Sequence, residues 1–146
     1  MILHAGLIAR WSPAGQAFRG VLIMGPSGAG KSDLALRAIG QGFRLIADDR
    51  VVVFLSGGAP FGHAPSPLRD RIEARGIGVV DQLSHHCAAI NLIVRCESEP
   101  GAEPRGDQAP SQSLLGVEVP VIHIWPFGDS AIAKICRATE HLGVWA

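Results

Sequence analysis

The feature that most constrains this chain is Gly25-Pro26-Ser27-Gly28-Ala29-Gly30-Lys31-Ser32, directly after the apolar run Val21-Leu22-Ile23-Met24. The stretch matches the pattern G-x-x-x-x-G-K-[ST]. Such a loop has meaning only between a strand and a helix. Its glycines let the backbone bend, so that successive N–H groups point inward at phosphate oxygens. The helix that follows adds the positive end of its dipole. Both neighbours are legible. Gly20 to Met24 predicts a strand. Ser32 to Ile39 is rich in helix formers and is followed by Gly40 and Gly42, a C-cap signal. Phe43 to Ala47 is apolar again. Strand, loop, helix and strand make a βαβ unit, so the fold class is α/β. The loop names a phosphate ligand and leaves the reaction open.

The rest of the chain reads as further short elements. Leu3 to Ala9 and Arg50 to Leu55 are strands. Ala59 to Pro67, with three prolines and a glycine, reads as a loop. Pro67 opens a short helix toward Ala74. Arg75 to Asp81 then runs extended. Ala88 to Cys96 is a strongly apolar strand, and Glu97 to Gln112 a surface loop. Val117 to Trp125 is a strand that Pro120 places at an edge. Gly128 to His141 is the last helix, with Asp129 or Ser130 as N-cap. No repeat or linker divides residues 1–146, so a single domain is expected.

Composition narrows the setting. Hydrophobic residues make up 47% and charged residues 18%, which is globular and not disordered. Thirteen basic and 13 acidic residues cancel, so no global field favours nucleic acid or a membrane surface. Cys87, Cys96 and Cys136 are odd in number and widely spaced, which suits free thiols in a reducing compartment. His85-His86-Cys87 with Cys96 fits no standard zinc spacing. The N-terminus lacks the basic region of a signal peptide, and no apolar run reaches the roughly 20 residues of a membrane span. A cytoplasmic protein is expected.

Four side chains carry the chemistry: Lys31 and Ser32 of the motif, and Asp48 and Asp49 beyond it. Lys31 reaches the outer phosphates of a nucleotide, and the Ser32 hydroxyl holds Mg²⁺. Asp48-Asp49 follows the next strand, at the end where open α/β sheets bind ligands. A carboxylate there coordinates Mg²⁺ or takes the proton of an attacking hydroxyl. Neighbouring side chains point in different directions, so the two acids need not share a role. No N-K-x-D stretch occurs, which argues against a guanine-specific switch. The chain is also too short for the large lids of many nucleotide kinases.

Ile72-Glu73-Ala74-Arg75-Gly76-Ile77-Gly78-Val79-Val80-Asp81 resembles the signature of the HPr kinase/phosphorylase family. Other pieces agree in order: His4 ahead of the loop, GPSGAGKS itself, Arg44-Leu45-Ile46-Ala47-Asp48-Asp49-Arg50-Val51, and Leu115-Gly116-Val117-Glu118-Val119-Pro120. The resemblance covers nearly the whole chain as the family's C-terminal catalytic domain, without its N-terminal domain. In this it is similar to short forms from alphaproteobacteria. It implies a mixed sheet with flanking helices, of the phosphoenolpyruvate-carboxykinase-like P-loop type. It implies ATP and Mg²⁺ as cofactors and a seryl hydroxyl of the phosphocarrier protein HPr as acceptor. Self-association is implied as well, because family members are often oligomers; nucleic acid and membrane are not expected partners.

Residue by residue, the resemblance makes Asp48 the base, with Lys31 and His4 near the phosphates. Ser32 and Glu73, with Asp49 beside them, become the Mg²⁺ ligands, and Gly25 to Ser32 the nucleotide loop. Arg75 becomes a phosphate or transition-state partner. The family's catalytic Arg falls in the divergent stretch Glu97 to Gln112, where Arg105 is the candidate. The family's P-V-[RK]-P-G-R stretch stands here as Ile124-Trp125-Pro126-Phe127-Gly128-Asp129, without its basic residues. That change removes positive charge from a site that must accept phosphoserine and free phosphate. The expectation is a kinase whose reverse, phosphorylase direction is weak or lost. Two other readings stay open: a compact P-loop kinase for a small metabolite, and a catalytically silent nucleotide sensor that binds partners.

Overall fold

A computed structural model of the protein describes residues 1–101 and 110–141. In chain order the elements are β1 (Ile2–Leu3), β2 (Ala5–Ser12), β3 (Ala17–Met24), α1 (Lys31–Ile39), β4 (Arg44–Ala47), β5 (Val51–Ser56), β6 (Ala59–His63), β7 (Arg71–Ala74), β8 (Gly78–Asp81), β9 (Cys87–Cys96), β10 (Ser111–Leu114), β11 (Val117–Ile124) and α2 (Ala131–His141). This is the mixed α/β architecture expected.

Nine of these strands form one sheet, in the order β1-β5-β6-β9-β3-β2-β4, with β11 beside β9 and β10 beside β11. Strands β3 and β4 are both antiparallel to β2. They therefore run parallel to each other with β2 between them, joined through α1. The long strand β9 has β3 along one side, parallel. Its other side is shared. The first residues, Cys87 to Ala89, pair with β6, and the last, Ile93 to Cys96, pair with β11. The segment from Ile2 to Ser12 does the same. It bends at His4, pairing with β5 before the bend and with β3 and β4 after it. The sheet thus curls until both its ends meet one N-terminal segment, and His4 stands at the seam.

The curl makes two cores. On one face, α1 and α2 lay Leu34, Ala35, Ala38, Ala131 and Ile135 against Ile8, Val21, Ile23, Leu92 and Val94. On the other face the sheet packs against itself, through Leu7, Leu22, Ile46, Val51, Val53, Ile90, Ile93, Val119 and Val121. Full burial of such a side chain is worth about 1.5–3 kcal/mol, so both cores hold the ends of β3 and β4 firmly.

Three expectations need correction. Ala59 to Pro67 is not all loop: its first half is β6, an antiparallel partner of both β5 and β9. Gly62 is what permits this, because a Cβ there would stand 2.6 Å from Leu7 and 2.8 Å from Val51. Pro67 to Ala74 is not a helix. A 3-10 turn at Ser66–Leu68 leads into β7, which pairs with β8 as a separate hairpin. Buried Ile72 and Ala74 alternate with exposed Arg71 and Glu73, a period of two and not 3.6. Pro120 does not mark a free edge: it sits where β11 changes partner, opposite Ser111 of β10, just before the pairing with β9 begins. The final helix begins as expected, the Ser130 carbonyl taking the Lys134 N–H at 2.9 Å. Arg105 lies outside the described residues. Among the described residues, no helix is long and apolar enough to cross a membrane.

Candidate active site

The phosphate loop spans the gap between the end of β3 and the start of α1. Gly28 and Gly30 take left-handed backbone angles, φ 81° and 101°, which only glycine adopts without strain. The Ala29 N–H donates to the Pro26 carbonyl at 3.1 Å, closing the turn. Gly30 caps α1 without a side-chain bond, so the first amides of the helix keep their capacity for an anion. Lys31 is buried and arches back over the loop, donating to the carbonyls of Gly25 at 2.7 Å and Pro26 at 2.9 Å.

Asp48 directly follows β4 and is also buried, with 7% of its surface exposed. Its Oδ1 accepts the Ser32 hydroxyl at 2.8 Å. Its Oδ2 accepts the backbone N–H of Glu73 at 3.0 Å. One carboxylate therefore joins the first turn of α1 to β7. Ile72, buried against α1, carries Glu73 to this place. Asp70 fixes the base of the hairpin, accepting both the N–H and the hydroxyl of Ser84, and these bonds hold its carboxyl below its usual pKa.

Asp49 points elsewhere, as the differing directions of adjacent side chains implied. Its φ of 68° is left-handed, a strained angle of the kind found at functional sites. Its carboxylate meets His4 Nε2 at 3.0 Å and the Arg50 guanidinium at 3.2 Å. The bend at His4 is what brings that imidazole 45 residues along the chain to Asp49.

A cavity of about 340 Å³ gathers these groups. His4, Ser27, Gly28, Gly30, Lys31, Ser32, Asp48, Asp49, Glu73 and Arg75 all line it. Of the site residues expected from sequence, Gly25, Pro26 and Ala29 belong to the loop without lining the cavity. Sequence reasoning missed Asp33, which also lines it, and Arg37, which pairs with Asp33 at 3.0 Å. Their spacing, one helical turn apart, was the available signal.

The donor set suits a Mg²⁺-bound nucleotide phosphate. It offers loop amides and an ammonium for phosphate oxygens, and a hydroxyl and carboxylates for the cation. Among the described residues, no group of three or more His, Cys, Asp or Glu side chains is close enough to hold a metal by itself. Mg²⁺ does not need one, because it is commonly bound by one or two carboxylates together with substrate phosphates.

A strand, a Gly-Lys-Ser loop and a helix, faced by a buried carboxylate just past the end of β4, the parallel strand on the far side of β2, define a P-loop phosphate site. Residues 17–139 match the family described as HPr Serine kinase C-terminal domain, and the chain belongs to that family. It is 38% identical over 116 residues to the HPr kinase/phosphorylase of Limosilactobacillus reuteri, covering 72% of this chain and 36% of that protein. It is 48% identical over 78 residues to that of Mycoplasmopsis pulmonis, covering 53% of this chain and 25% of the relative. The chain thus spans about a third of the length of the curated relatives it matches. The fold is that of the Hpr(Ser) kinase/phosphatase from Coxiella burnetii, with a TM-score of 0.80 at 24% identity, over 97% of this chain and 90% of the other.

Proposed function

We propose that residues 1–146 form a catalytic domain that transfers a phosphoryl group from ATP, with Mg²⁺, to a seryl hydroxyl of the protein HPr. The observation that carries this reading is the position of Asp48, bonded to Ser32 and to the Glu73 backbone on the wall of the loop cavity. Family membership supports the choice of acceptor.

Each residue then has a role that its place permits. Loop amides and Lys31 hold the phosphates. Ser32 and Glu73, with Asp49 at the rim, are the candidate Mg²⁺ ligands. When bound, ATP supplies the phosphoryl group and Mg²⁺ neutralises charge developing on it. Asp48 takes the proton of the attacking serine. Two hydrogen bonds use only part of its capacity, since an ionised carboxylate offers about four lone-pair sites. Arg75 and His4 stand at the cavity's edge, where a cation or a hydrogen-bond donor faces the transferred group. Arg105 remains the candidate for a further arginine, from the stretch that diverges from the family's pattern.

One surface feature favours a macromolecular acceptor over a metabolite. Next to Glu73 and Arg75, the hairpin leaves Ile77 81% exposed and Val79 68% exposed. Exposed apolar side chains bordering a site suit contact with a protein.

The test is incubation of the protein with labelled ATP, Mg²⁺ and purified HPr. Label on HPr supports the proposal. Label on a small metabolite alone supports the compact metabolite kinase. Tight ATP binding without transfer supports the nucleotide sensor.

A further inference from the structure

Resting on the reading of Gly25 to Ser32 as a nucleotide-phosphate loop, we propose that Phe127 is the platform on which the nucleotide's base stacks. Phe127 therefore sets the preference for a nucleotide over bare polyphosphate.

The flat side chains that line the cavity are His4, which is held by Asp49, and Arg75. Among the described residues no Phe or Trp lines the cavity, and the chain contains no Tyr. Phe127 stands at its border. A Cβ built on Gly30 would lie 2.7 Å from Phe127 Cζ and 3.2–3.3 Å from its two Cε atoms. The tip of the ring thus touches the last glycine of the loop, and the ring stands upright on it. Yet Phe127 keeps 46% of its surface exposed. A large aromatic held on a phosphate loop with nearly half its surface exposed offers a stacking surface.

The ring is also fixed in advance. Trp125 meets it edge-on, with centroids 6.4 Å apart. The Gly128 N–H closes the turn on the Trp125 carbonyl at 3.2 Å. The Pro126 carbonyl accepts the Arg37 guanidinium, and Arg37 is in turn paired with Asp33. The segment is therefore clamped to α1, which lowers the entropy lost on binding.

Direction is the third argument. A helix turns about 100° per residue, so Gly30, Asp33 and Arg37 share a sector of roughly 60° on α1. Ser32 and its partner Asp48 lie about 100° or more around the helix from that sector. In phosphoryl transfer the attacking and leaving oxygens are roughly in line. The nucleoside must then leave on the side away from Asp48, which is the side that carries Phe127. The stretch holding Phe127 has no basic residue, and stacking requires none.

The experiment is calorimetric titration of ATP and of inorganic tripolyphosphate, each with Mg²⁺, into wild type, Phe127→Ala and Phe127→Leu. Phe127→Leu keeps an apolar contact on Gly30 but removes the aromatic face, so it carries the test where Phe127→Ala fails to fold. Wild type is expected to bind ATP on the order of ten-fold tighter than tripolyphosphate. Both variants should lose most of that margin while tripolyphosphate affinity stays within about two-fold, the stacking contribution being absent from that ligand. A margin that survives in both variants overturns the proposal and leaves the phosphate loop standing. Equal loss of both ligands makes Phe127 a prop for the loop and also overturns it. Wild type that binds neither ligand overturns the phosphate-loop reading itself, and the proposal with it.

Discussion

Ser32 and Asp48 are hydrogen-bonded at 2.8 Å, although they come from different elements on either side of the turn that ends α1. The bond makes the candidate metal-binding hydroxyl and the candidate base a single unit. Asp48's other oxygen reaches the Glu73 N–H, so the signature hairpin is registered against the phosphate loop through one carboxylate. A shift of either partner moves the other.

That coupling gives Asp48→Asn a specific phenotype. Asparagine keeps one carbonyl acceptor but has no basicity. Phosphoryl transfer to HPr should fall by about 10²–10⁴, the usual contribution of a general base. ATP affinity should stay within a few-fold, because Lys31 and the loop amides are unchanged. Asp48→Ala should also cost about 1–3 kcal/mol in urea denaturation, since the Glu73 N–H loses its partner. A variant Asp48→Asn with full transfer activity shows that Asp48 is not the base.

Gly20 makes a separate prediction about the frame. It lies at the irregularity in the β3–β9 pairing, where the register shifts between Gly20 and Val21. A Cβ there would collide with the backbone carbonyl of Ala89, which no rotamer change relieves. Gly20→Ala should destabilise the protein by more than about 3 kcal/mol or prevent folding, as severe core overpacking does. Gly57→Ala, in the turn before β6 and facing open space, should cost about 1–2 kcal/mol from its left-handed φ alone. Thermal denaturation of both variants compares the two effects, and equal small shifts would contradict the packing argument.

Much of this was legible in the sequence because the phosphate loop demands a strand before it and a helix after it. The apolar runs Val21 to Met24 and Phe43 to Ala47 satisfied that demand on both sides. What misled was local punctuation. Pro60 and Gly62 read as loop residues, yet Gly62 is required where Leu7 and Val51 crowd β6. Pro67 and the charges after it read as a helix start, yet only Ile72 and Ala74 are buried there, two residues apart. The bonds from Asp48 to Ser32 and to Glu73, and from His4 to Asp49, join residues 16, 25 and 45 positions apart. Such distances are set by the curl of the sheet, which no local pattern records. In the sequence Phe127 stands out only for the basic residues missing around it, because its contact with Gly30 exists only in three dimensions.

Cys96 yields a pH dependence. It is buried beneath the loop, its Cβ 3.1 Å from where a Cβ on Gly25 would stand. Burial pushes its thiol from an ordinary 9.0 up to about 11, with Glu97 adding to the effect and Lys31 and Arg37 opposing it. The folded state therefore binds this proton more tightly than the unfolded chain. Its contribution to stability is complete below about pH 9 and is lost as pH rises through about 11. Urea midpoints from pH 8 to 11 should fall more steeply in wild type than in Cys96→Ala. Parallel curves would show that the thiol is not held neutral by its burial.

The last prediction concerns the reverse reaction. Running it requires phosphoserine and free phosphate, both strongly anionic, to share the space beside the loop. Ile124 to Asp129 forms one border of that space through Phe127 on Gly30, and it supplies an acid where the family pattern has a base. Of the nearby cations, Arg37 is spent on Asp33 and the Pro126 carbonyl, which leaves Lys31 of the loop and Arg75 of the hairpin to serve two anions. Charge-assisted bonds to phosphate are the strong ones, and the segment offers none. Phosphate-dependent release from serine-phosphorylated HPr should therefore run at least about ten-fold below the kinase rate, a deficit of one lost charge-assisted bond. Asp129→Arg, which returns a guanidinium to the segment, should raise the reverse rate more than the forward one. Measuring both rates with the same preparation decides it, and a wild-type reverse rate equal to the forward rate would sink the argument.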